Sequence, residues 1–257
     1  MRKLFDRYSL VARIYPTTLA LGPVLWTALV LFPRLVSNSR LGAASTLAVG
    51  CVLYLLAALA RSRGKIVEQK LIAAWGGWPT TILLRHRDPS LDPITKARYH
   101  QALAALAAGP LPTPAEEAVS PNEADDAYRS ATKRLIELRR GKEYQLLLDE
   151  NASYGFRRNL LGLRAAAVMI AALAALATAL DWWAGLPNSI TLVGFEASIS
   201  QYPYLPALLL ADVAYLAMFV LMIDGNFVRQ AADEYALALF RTLDADSAPA
   251  NRGTLRG

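Results

Sequence analysis

The sequence predicts an all-α integral membrane protein in which four transmembrane helices form two hairpins and an α-helical domain is inserted between spans 2 and 3. Three observations predict this class. Charged residues are nearly absent from four apolar stretches of 18 or 19 residues, each long enough as a helix to cross a bilayer core of about 30 Å. Basic residues crowd the segment between the second and third stretches. No segment shows the alternation of a half-buried strand.

The predicted spans are residues 14–32, 43–60, 165–183 and 205–223. The first contains Pro16 and Pro23, which a transmembrane helix tolerates because neighbouring groups can bond the freed backbone atoms. The third is rich in alanine. It ends on Asp181-Trp182-Trp183, and tryptophans at such a position are typical anchors at the membrane interface.

Lysine and arginine predict the orientation. Of the 27 basic residues, only Arg34 and Arg40 lie in the two short loops, and the other 25 lie before span 1, between spans 2 and 3, or after span 4. Because basic flanks stay on the cytoplasmic side, both termini and the inserted domain are expected in the cytoplasm. The 21 arginines against 6 lysines are typical of GC-rich bacterial coding, which favours a bacterial inner membrane.

The predicted domains follow from these spans. They are an N-terminal tail and hairpin (1–62), a cytoplasmic helical domain (63–164), a second hairpin (165–223) and a cytoplasmic C-terminal tail (224–257).

Turn residues divide the inserted domain into helices. The helix of span 2 is expected to continue to about Ala74 and to break at Gly76-Gly77, which leads into an irregular stretch. A helix is predicted at 93–107, followed by a proline-rich loop at 109–114. Ser120 and Glu123 fit a capping box that would begin a helix running to residue 140, and a further helix at 142–152 leads towards span 3.

Several kinds of site are excluded by residue type. The single cysteine, Cys51, rules out a disulfide framework and a cysteine zinc site, and two histidines are too few for an all-histidine metal site. The sequence contains no Walker-type loop, GxGxxG, GxSxG or HExxH motif. We therefore predict no catalytic residue, cofactor or metal. The net charge of +6 does not favour nucleic acid here, because the basic residues collect beside apolar spans, where they meet anionic lipid.

One short segment combines the side chains that an anion site needs. The candidate ligand-binding residues are Thr80, Thr81, Arg85, His86, Arg87 and Asp88. Arginine forks bind phosphate in a bidentate manner, and hydroxyls or loop amides can complete such a site. The hypothesis is a pocket for a nucleotide-like or other phosphorylated ligand. The alternative is a basic loop lying against lipid, with Asp88 capping the turn before Pro89.

Three further basic residues are possible secondary contacts. His100 shares a helix face with Lys96, four residues earlier, so it could join the same patch, although a solvated basic face also explains it. Arg157 and Arg158 stand just before span 3, where they would serve either as interfacial anchors or as ligand contacts.

Two features lie inside the spans. Asp212 is a carboxylate within span 4, where a charge is costly, so it indicates a pathway, a proton relay or an interhelical hydrogen bond. A structural bond to Tyr215 or to a neighbouring helix is the simpler alternative. The other feature is a small-residue seam on span 3, which predicts close helix packing and a homo-oligomer. Its members recur every four residues: Ala167, Ala171, Ala175 and Ala179.

Three sequence runs resemble bacterial four-span inner-membrane proteins of unassigned function. They are Gly76-Gly77-Trp78-Pro79-Thr80, Leu84-Arg85-His86-Arg87-Asp88 and Tyr154-Gly155-Phe156-Arg157-Arg158-Asn159-Leu160. This resemblance implies no catalytic residue. The plan is also similar to small membrane effectors that place a cytoplasmic sensor between spans, some of them in antiviral defence, an analogy of architecture alone.

Three functions therefore remain open. The first is an effector or channel-like protein that senses a phosphorylated ligand or a partner through its cytoplasmic domain. The second is a membrane enzyme that acts on a lipid or nucleotide and uses His86, Asp88 or His100. The third is a scaffold or accessory subunit of a membrane complex.

Overall fold

The structure of the protein, a computed structural model, describes residues 7–33, 39–107, 109–185 and 199–247. The described residues form helices and connecting turns and contain no strand. Four of the helices are long and apolar enough to cross a bilayer, which is compatible with a membrane location. These findings confirm the all-helical class with four long apolar helices. The two-hairpin layout and the cytoplasmic position of the insert stay predictions.

The helices are numbered along the chain. They are α1 (Arg7–Leu31), α2 (Ser39–Trp75), α3 (Pro79–Leu84), α4 (Pro93–Ala107), α5 (Pro114–Val119), α6 (Pro121–Leu138), α7 (Gln145–Ala184), α8 (Tyr204–Leu221) and α9 (Gly225–Ser247).

The chain divides into two compact units. The span unit comprises Met1–Glu68 and Gly155–Val228, and the insert unit comprises Gln69–Tyr154 and Arg229–Gly257. The four apolar helices contribute their apolar stretches to the span unit. Two of them, α2 and α7, continue into the insert unit as single helices of 37 and 40 residues. The sequence placed a helix at 142–152 ahead of span 3, and the structure joins both into α7.

The two prolines of α1 leave backbone carbonyls that other helices bond. A proline at position i has no N–H to donate to the carbonyl of residue i−4. For Pro16 that carbonyl is Ala12 O, which accepts from Asn159 Nδ2 of α7 at 2.6 Å. For Pro23 it is Leu19 O, which accepts from Tyr215 Oη of α8. The prolines therefore help to bind α1 to α7 and α8.

Helices α2 and α7 cross where their backbones touch at two glycines. A Cβ atom at Gly162 would lie 2.6 Å from the backbone nitrogen of Gly64, and one at Gly64 would lie 2.3 Å from Asn159 Oδ1. Both distances are shorter than any ordinary carbon contact. The neighbour of Gly162 is backbone, so that position requires glycine, whereas a side chain at Gly64 would have to displace the Asn159 amide. The close approach resembles the small-residue crossings of transmembrane helices.

The alanine seam of α7 packs inside the chain along part of its length. Ala167 and Ala171 are fully buried, and Ala167 belongs to the core of the span unit. Ala175 and Ala179 are only half-buried. Packing within one chain thus accounts for the first two seam residues, and homo-oligomer formation stays a prediction.

The insert unit has its own apolar core. Helix α6 contributes Ala124, Tyr128, Ala131 and Leu135, whose spacing of three to four residues marks one face of a helix. Helix α9 contributes buried residues after span 4: Ala236, Ala238, Leu239, Phe240 and Leu243. The segment 224–257 was predicted to be a tail, whereas Gly225–Ser247 is a helix that contributes to this core.

Two local expectations differ from the structure. Ser120 makes no side-chain cap, and the capping box lies one helix earlier, between Thr113 and Glu116 at the start of α5. Ser120 instead donates its N–H to Glu116 O and ends α5, so the preceding helix sets its backbone angles. The stretch after the glycines was expected to be irregular, but α3 forms there because Pro79 is suited to the first turn of a helix.

Candidate functional site

The predicted ligand segment begins where α2 ends. Gly76 and Gly77 have φ angles of +77° and +144°, which are favourable only for glycine. Gly77 N–H donates to Ile72 O and Gly76 N–H donates to Ala73 O, the paired bonds of a Schellman cap. This cap ends α2 and turns the chain into α3.

Arg85 fastens this turn to α6. Its Nε and Nη2 atoms lie 2.9 and 2.5 Å from the two carboxylate oxygens of Asp125, and Nη2 also donates to Gly76 O at 2.7 Å. Both charged side chains are less than one-fifth exposed. The hydrogen bonds to Asp125 raise the pKa of Arg85 and outweigh the opposing effect of burial. The Arg85 fork is therefore already occupied by a protein carboxylate.

Glu117 is the centre of the segment's hydrogen bonding. Its side chain is only 3% exposed. It accepts from the backbone N–H groups of His86 and Arg87, from Arg87 Nη1 at 2.8 Å and from Tyr128 Oη at 2.8 Å. Burial acts to raise the pKa of Glu117, but these bonds together hold it below its ordinary value. Burial, with the carboxylate beside it, raises the pKa of Tyr128.

The two histidines stack beside this carboxylate. The rings of His86 and His100 lie 4.5 Å apart between centroids. His86 Nε2 lies 3.0 Å from Pro112 O, and His100 Nε2 lies 2.7 Å from Leu84 O. Since a carbonyl can only accept, Nε2 carries the hydrogen in both rings. Both Nε2 atoms therefore donate to backbone carbonyls.

The remaining residues of the segment, and the neighbouring Lys96, form hydrogen bonds or are buried. Lys96 is buried, and its Nζ donates to the backbone oxygens of Arg85 and Asp88. Asp88 Oδ1 accepts from Ser90 N–H across the turn that contains Pro89. Thr80 and Thr81 are buried in α3, and Thr81 Oγ1 has no hydrogen-bond partner among the described residues.

The structure thus places Arg85, His86, Arg87, Asp88 and His100 among hydrogen bonds to neighbouring protein groups. Thr80 and Thr81 are buried in α3 and take no part in these bonds. Arg87 is the most open cation of the segment: its side chain is 46% exposed and bonds Glu117, with Asp125 3.6 Å away. An external anion could approach here by competing with these carboxylates. The prediction of a phosphorylated ligand stays a prediction, and the described geometry by itself accounts for each cation as a structural contact.

Arg157 and Arg158 belong to the span unit and have partners there. Arg157 donates to Phe227 O at 3.0 Å and lies over the Phe227 ring at 4.7 Å. Arg158 forms a largely buried ion pair with Glu68 at 2.8 Å. These bonds give both residues a role in packing the span unit.

Asp212 joins three of the four apolar helices. The carboxylate is fully buried in α8. It accepts from Trp26 Nε1 at 2.6 Å, from Thr27 Oγ1 at 3.2 Å and from Thr178 Oγ1 at 3.0 Å. Trp26 and Thr27 lie on α1, and Thr178 lies on α7. Tyr215, one of the partners considered from the sequence, donates to a backbone carbonyl of α1 instead. Because the partners of Asp212 lie on two other helices, this geometry favours the interhelical hydrogen bond among the predicted roles.

Several residues of these clusters were missed from the sequence. They are Trp26, Thr27, Glu117, Asp125, Tyr128 and Thr178. Hydroxyl and indole groups inside the predicted spans were an available signal for the Asp212 partners, because such groups seek a hydrogen bond in a bilayer. Glu117 and Asp125 gave no local signal, since they lie 30 and 40 residues from their arginines.

The His100 environment predicts a pH-dependent stability. Burial lowers the pKa of His100 below its ordinary value of 6.5 and outweighs the hydrogen bond to Leu84 O, which raises it. The nearby His86 and Lys96 also lower this pKa, and Glu117 raises it. The unfolded chain therefore binds a proton at a higher pH than the folded chain does. We expect full stability above about pH 6.5 and a decline as the pH falls below that value, measured by thermal unfolding at pH 5.5–7.5.

His100→Gln serves as the control, because its amide can still donate to Leu84 O but does not titrate. This variant should lose the slope between pH 5.5 and 6.5. An unchanged slope would assign the effect to another group.

The described residues hold no group of three or more metal-ligating side chains close enough to bind an ion. No protein-family model, curated protein or solved structure matches this chain.

Proposed function

We propose that the protein crosses a bacterial inner membrane as two helical hairpins and acts there as an effector or channel-like protein that its insert unit regulates. The distribution of charge supports the layout, because 25 of 27 basic residues flank the same predicted side of the spans. On this proposal both termini and the insert unit are cytoplasmic.

The layout predicts the result of a reporter-fusion experiment. Fusions after residues 13, 115 and 257 should read cytoplasmic, and fusions near 38 and 194 should read external. The experiment uses paired reporters that are active on opposite sides of the membrane. A cytoplasmic signal at 194 would contradict the four-span layout. It would indicate that the alanine-rich third span does not cross the membrane.

The observation that supports regulation is the composition of the insert unit. Its core combines residues from the inserted segment with α9, which follows span 4. Two of the four apolar helices, α2 and α7, continue without a break into the insert unit, and α9 follows span 4 after a short turn. A change of packing in that unit would therefore bias the arrangement of the spans through stiff helices.

The proposed trigger is a phosphorylated ligand at Arg87. This side chain is half exposed, whereas Arg85 is held by Asp125 and Gly76. A phosphate that engaged Arg87 would compete with Glu117, the carboxylate that also holds the His86 backbone and Tyr128. Ligand binding would thus loosen the contact between the segment after α3 and helices α5 and α6.

A thermal-shift screen tests this trigger. The purified full chain is heated with nucleotides, cyclic dinucleotides and phospholipid head groups, and at least one class should raise the unfolding temperature. Arg87→Ala should weaken binding about ten- to a hundredfold, because a charge-assisted bond to phosphate is lost. Arg129→Ala is the matched control, since Arg129 is also half exposed and pairs with the nearby Asp126. The absence of any stabilising compound would contradict the phosphorylated-ligand proposal.

Conduction needs a separate test. The full chain in liposomes with a potential-sensitive dye should dissipate an imposed potential more rapidly when the active compound from the screen is added. If the membrane potential decays at the same rate with and without protein in the presence of that compound, the channel-like proposal is contradicted.

An accessory role is the second candidate, and one surface favours it. An open groove of about 630 Å³ runs beside α5 and the start of α6. Its lining includes Val119, which is 84% exposed, together with Glu116 and Glu123. An exposed apolar residue between acidic ones suits a partner protein better than a phosphate. Co-purification of one partner at fixed stoichiometry, lost in Val119→Asp, would favour this role over sensing.

A further inference from the structure

A cavity of about 670 Å³ lies in the span unit between the start of α1 and the middle of α2. Its lining comes from residues within 9–14 of α1 and within 50–65 of α2. The lining residues of α2 recur every three or four positions, so they form one continuous face of that helix. The volume falls within the range of small-molecule sites.

The lining changes from apolar to basic along α2. The apolar part extends from Gly50 to Ala58, inside predicted span 2, and the cations Arg61 and Lys65 follow directly after that span. The third cation, Arg13, directly precedes predicted span 1. Asn159 touches both helices at this level, since it bonds Ala12 O and lies against Gly64. The three cations therefore lie at the same end of the cavity.

In the part of the chain that the structure describes, no ion pair neutralises the cations at the basic end. No carboxylate is among the described residues that line the cavity. Arg61 and Lys65 are exposed, and within the described part of the chain neither forms an ion pair. Basic pockets between transmembrane helices on the cytoplasmic side bind anionic lipid head groups.

The apolar end is open to the hydrocarbon of a bilayer. Only 6% of the apolar stretch of α2 is buried in the protein, compared with 33% for α1 and for α7. Gly50 has open space where a side chain would project. An acyl chain could therefore lie along Leu53 and Ala57 and continue into the surrounding lipid without crossing another helix.

We propose that this cavity binds one anionic glycerophospholipid. The phosphodiester lies among Arg13, Arg61 and Lys65, where the guanidiniums donate to its oxygens, and one acyl chain lies along the apolar face of α2. The lipid thereby fills the space between α1 and α2. This proposal is independent of the trigger proposed at Arg87, because all the residues involved lie in the span unit.

Native mass spectrometry of the full chain tests the proposal. The protein is purified in a neutral detergent and mixed with equal amounts of phosphatidylglycerol and phosphatidylcholine. We expect one phosphatidylglycerol molecule to be retained in preference to phosphatidylcholine. Arg61→Gln/Lys65→Gln should weaken that retention about ten- to thirtyfold, because two charges are removed from the head-group site.

Two further variants distinguish a specific lipid site from electrostatic attraction of the lipid to a basic surface. Arg63→Gln/Lys70→Gln removes the same charge from exposed positions of α2 outside the cavity, and its retention of phosphatidylglycerol should stay within about twofold of that of the unchanged chain. Gly50→Leu leaves the charge unchanged and fills the apolar part, so it should weaken retention severalfold while thermal unfolding stays the same.

Three results would overturn the proposal. Equal losses in the two charge variants would show attraction to a basic surface without a site. Complete displacement of the lipid by millimolar inorganic phosphate would show that the acyl chain contributes nothing. A lipid-free dimer that Gly50→Leu dissociates would show that a second copy of the chain occupies the groove.

Discussion

Replacing Asp212 with leucine is expected to destabilise the span unit by about 2–4 kcal/mol. The change removes the common acceptor of Trp26 Nε1, Thr27 Oγ1 and Thr178 Oγ1. Thr178 Oγ1 keeps Ala174 O as an acceptor, and Trp26 is only partly buried. The full cost of an unpaired buried donor, about 1–3 kcal/mol, therefore applies chiefly to Thr27. Hydrogen bonds between transmembrane helices often contribute less, about 0.6 kcal/mol on average, which sets the lower end of the range. The measurement is thermal or denaturant unfolding of the full chain in detergent.

A double-mutant cycle tests whether Asp212 and Thr178 stabilise the protein through their shared hydrogen bond. Thr178→Val should cost about 1 kcal/mol in the unchanged chain and much less in Asp212→Leu, because the hydroxyl has then lost its acceptor on α8 and keeps only Ala174 O of its own helix. Thr46→Leu is the control, since the Thr46 hydroxyl is exposed on α2 and bonds only its own helix among the described residues. Its effect on stability should be the same with and without Asp212→Leu. Additive effects of Asp212→Leu and Thr178→Val would contradict a shared network.

Replacing Arg85 with alanine is expected to destabilise the insert unit by about 2–4 kcal/mol. The guanidinium holds Asp125 in a bidentate pair and also bonds Gly76 O at the end of α2. Removing it leaves a largely buried carboxylate without its main partner. Unfolding of the full chain, followed by the fluorescence of its five tryptophans, measures the change, and two of them, Trp75 and Trp78, lie near that helix end.

A double-mutant cycle isolates the pair itself. Arg85→Ala, Asp125→Ala and their combination should give a coupling of about 1.5–3 kcal/mol. The exposed pair of Asp126 and Arg129 on the same helix is the control, with an expected coupling below about 0.5 kcal/mol. If Arg85→Ala leaves stability unchanged but abolishes anion binding, then Arg85 serves a ligand and its pair with Asp125 contributes little.

The sequence predicted features that depend on neighbouring residues alone. The four apolar helices followed from the length and composition of each stretch, and the helix Pro93–Ala107 followed from its proline start. The end of α2 followed from Gly76 and Gly77, because their positive φ angles are a local property of the backbone. Each signal lies within a few residues of the element that it determines.

Local signals failed where two elements compete for the same residue. The sequences from Thr113 to Glu116 and from Ser120 to Glu123 both fit a capping box. Only the first forms one, since Ser120 is held in place as the last residue of α5. Similarly, the C-terminal segment was treated as a tail, although Ala236, Leu239, Phe240 and Leu243 are spaced as one helix face and are buried in the core of the insert unit.

By itself, the sequence determined the helical class of this protein, the four apolar stretches and the side chains available for a site. Only the tertiary structure decided what those side chains bind. Asp125 meets Arg85 across 40 positions, and Tyr215 reaches the carbonyl freed by Pro23 across 196. The physical reason is that a charge or carbonyl leaving water must find a partner wherever the fold places one, whereas hydropathy and helix capping act between near neighbours.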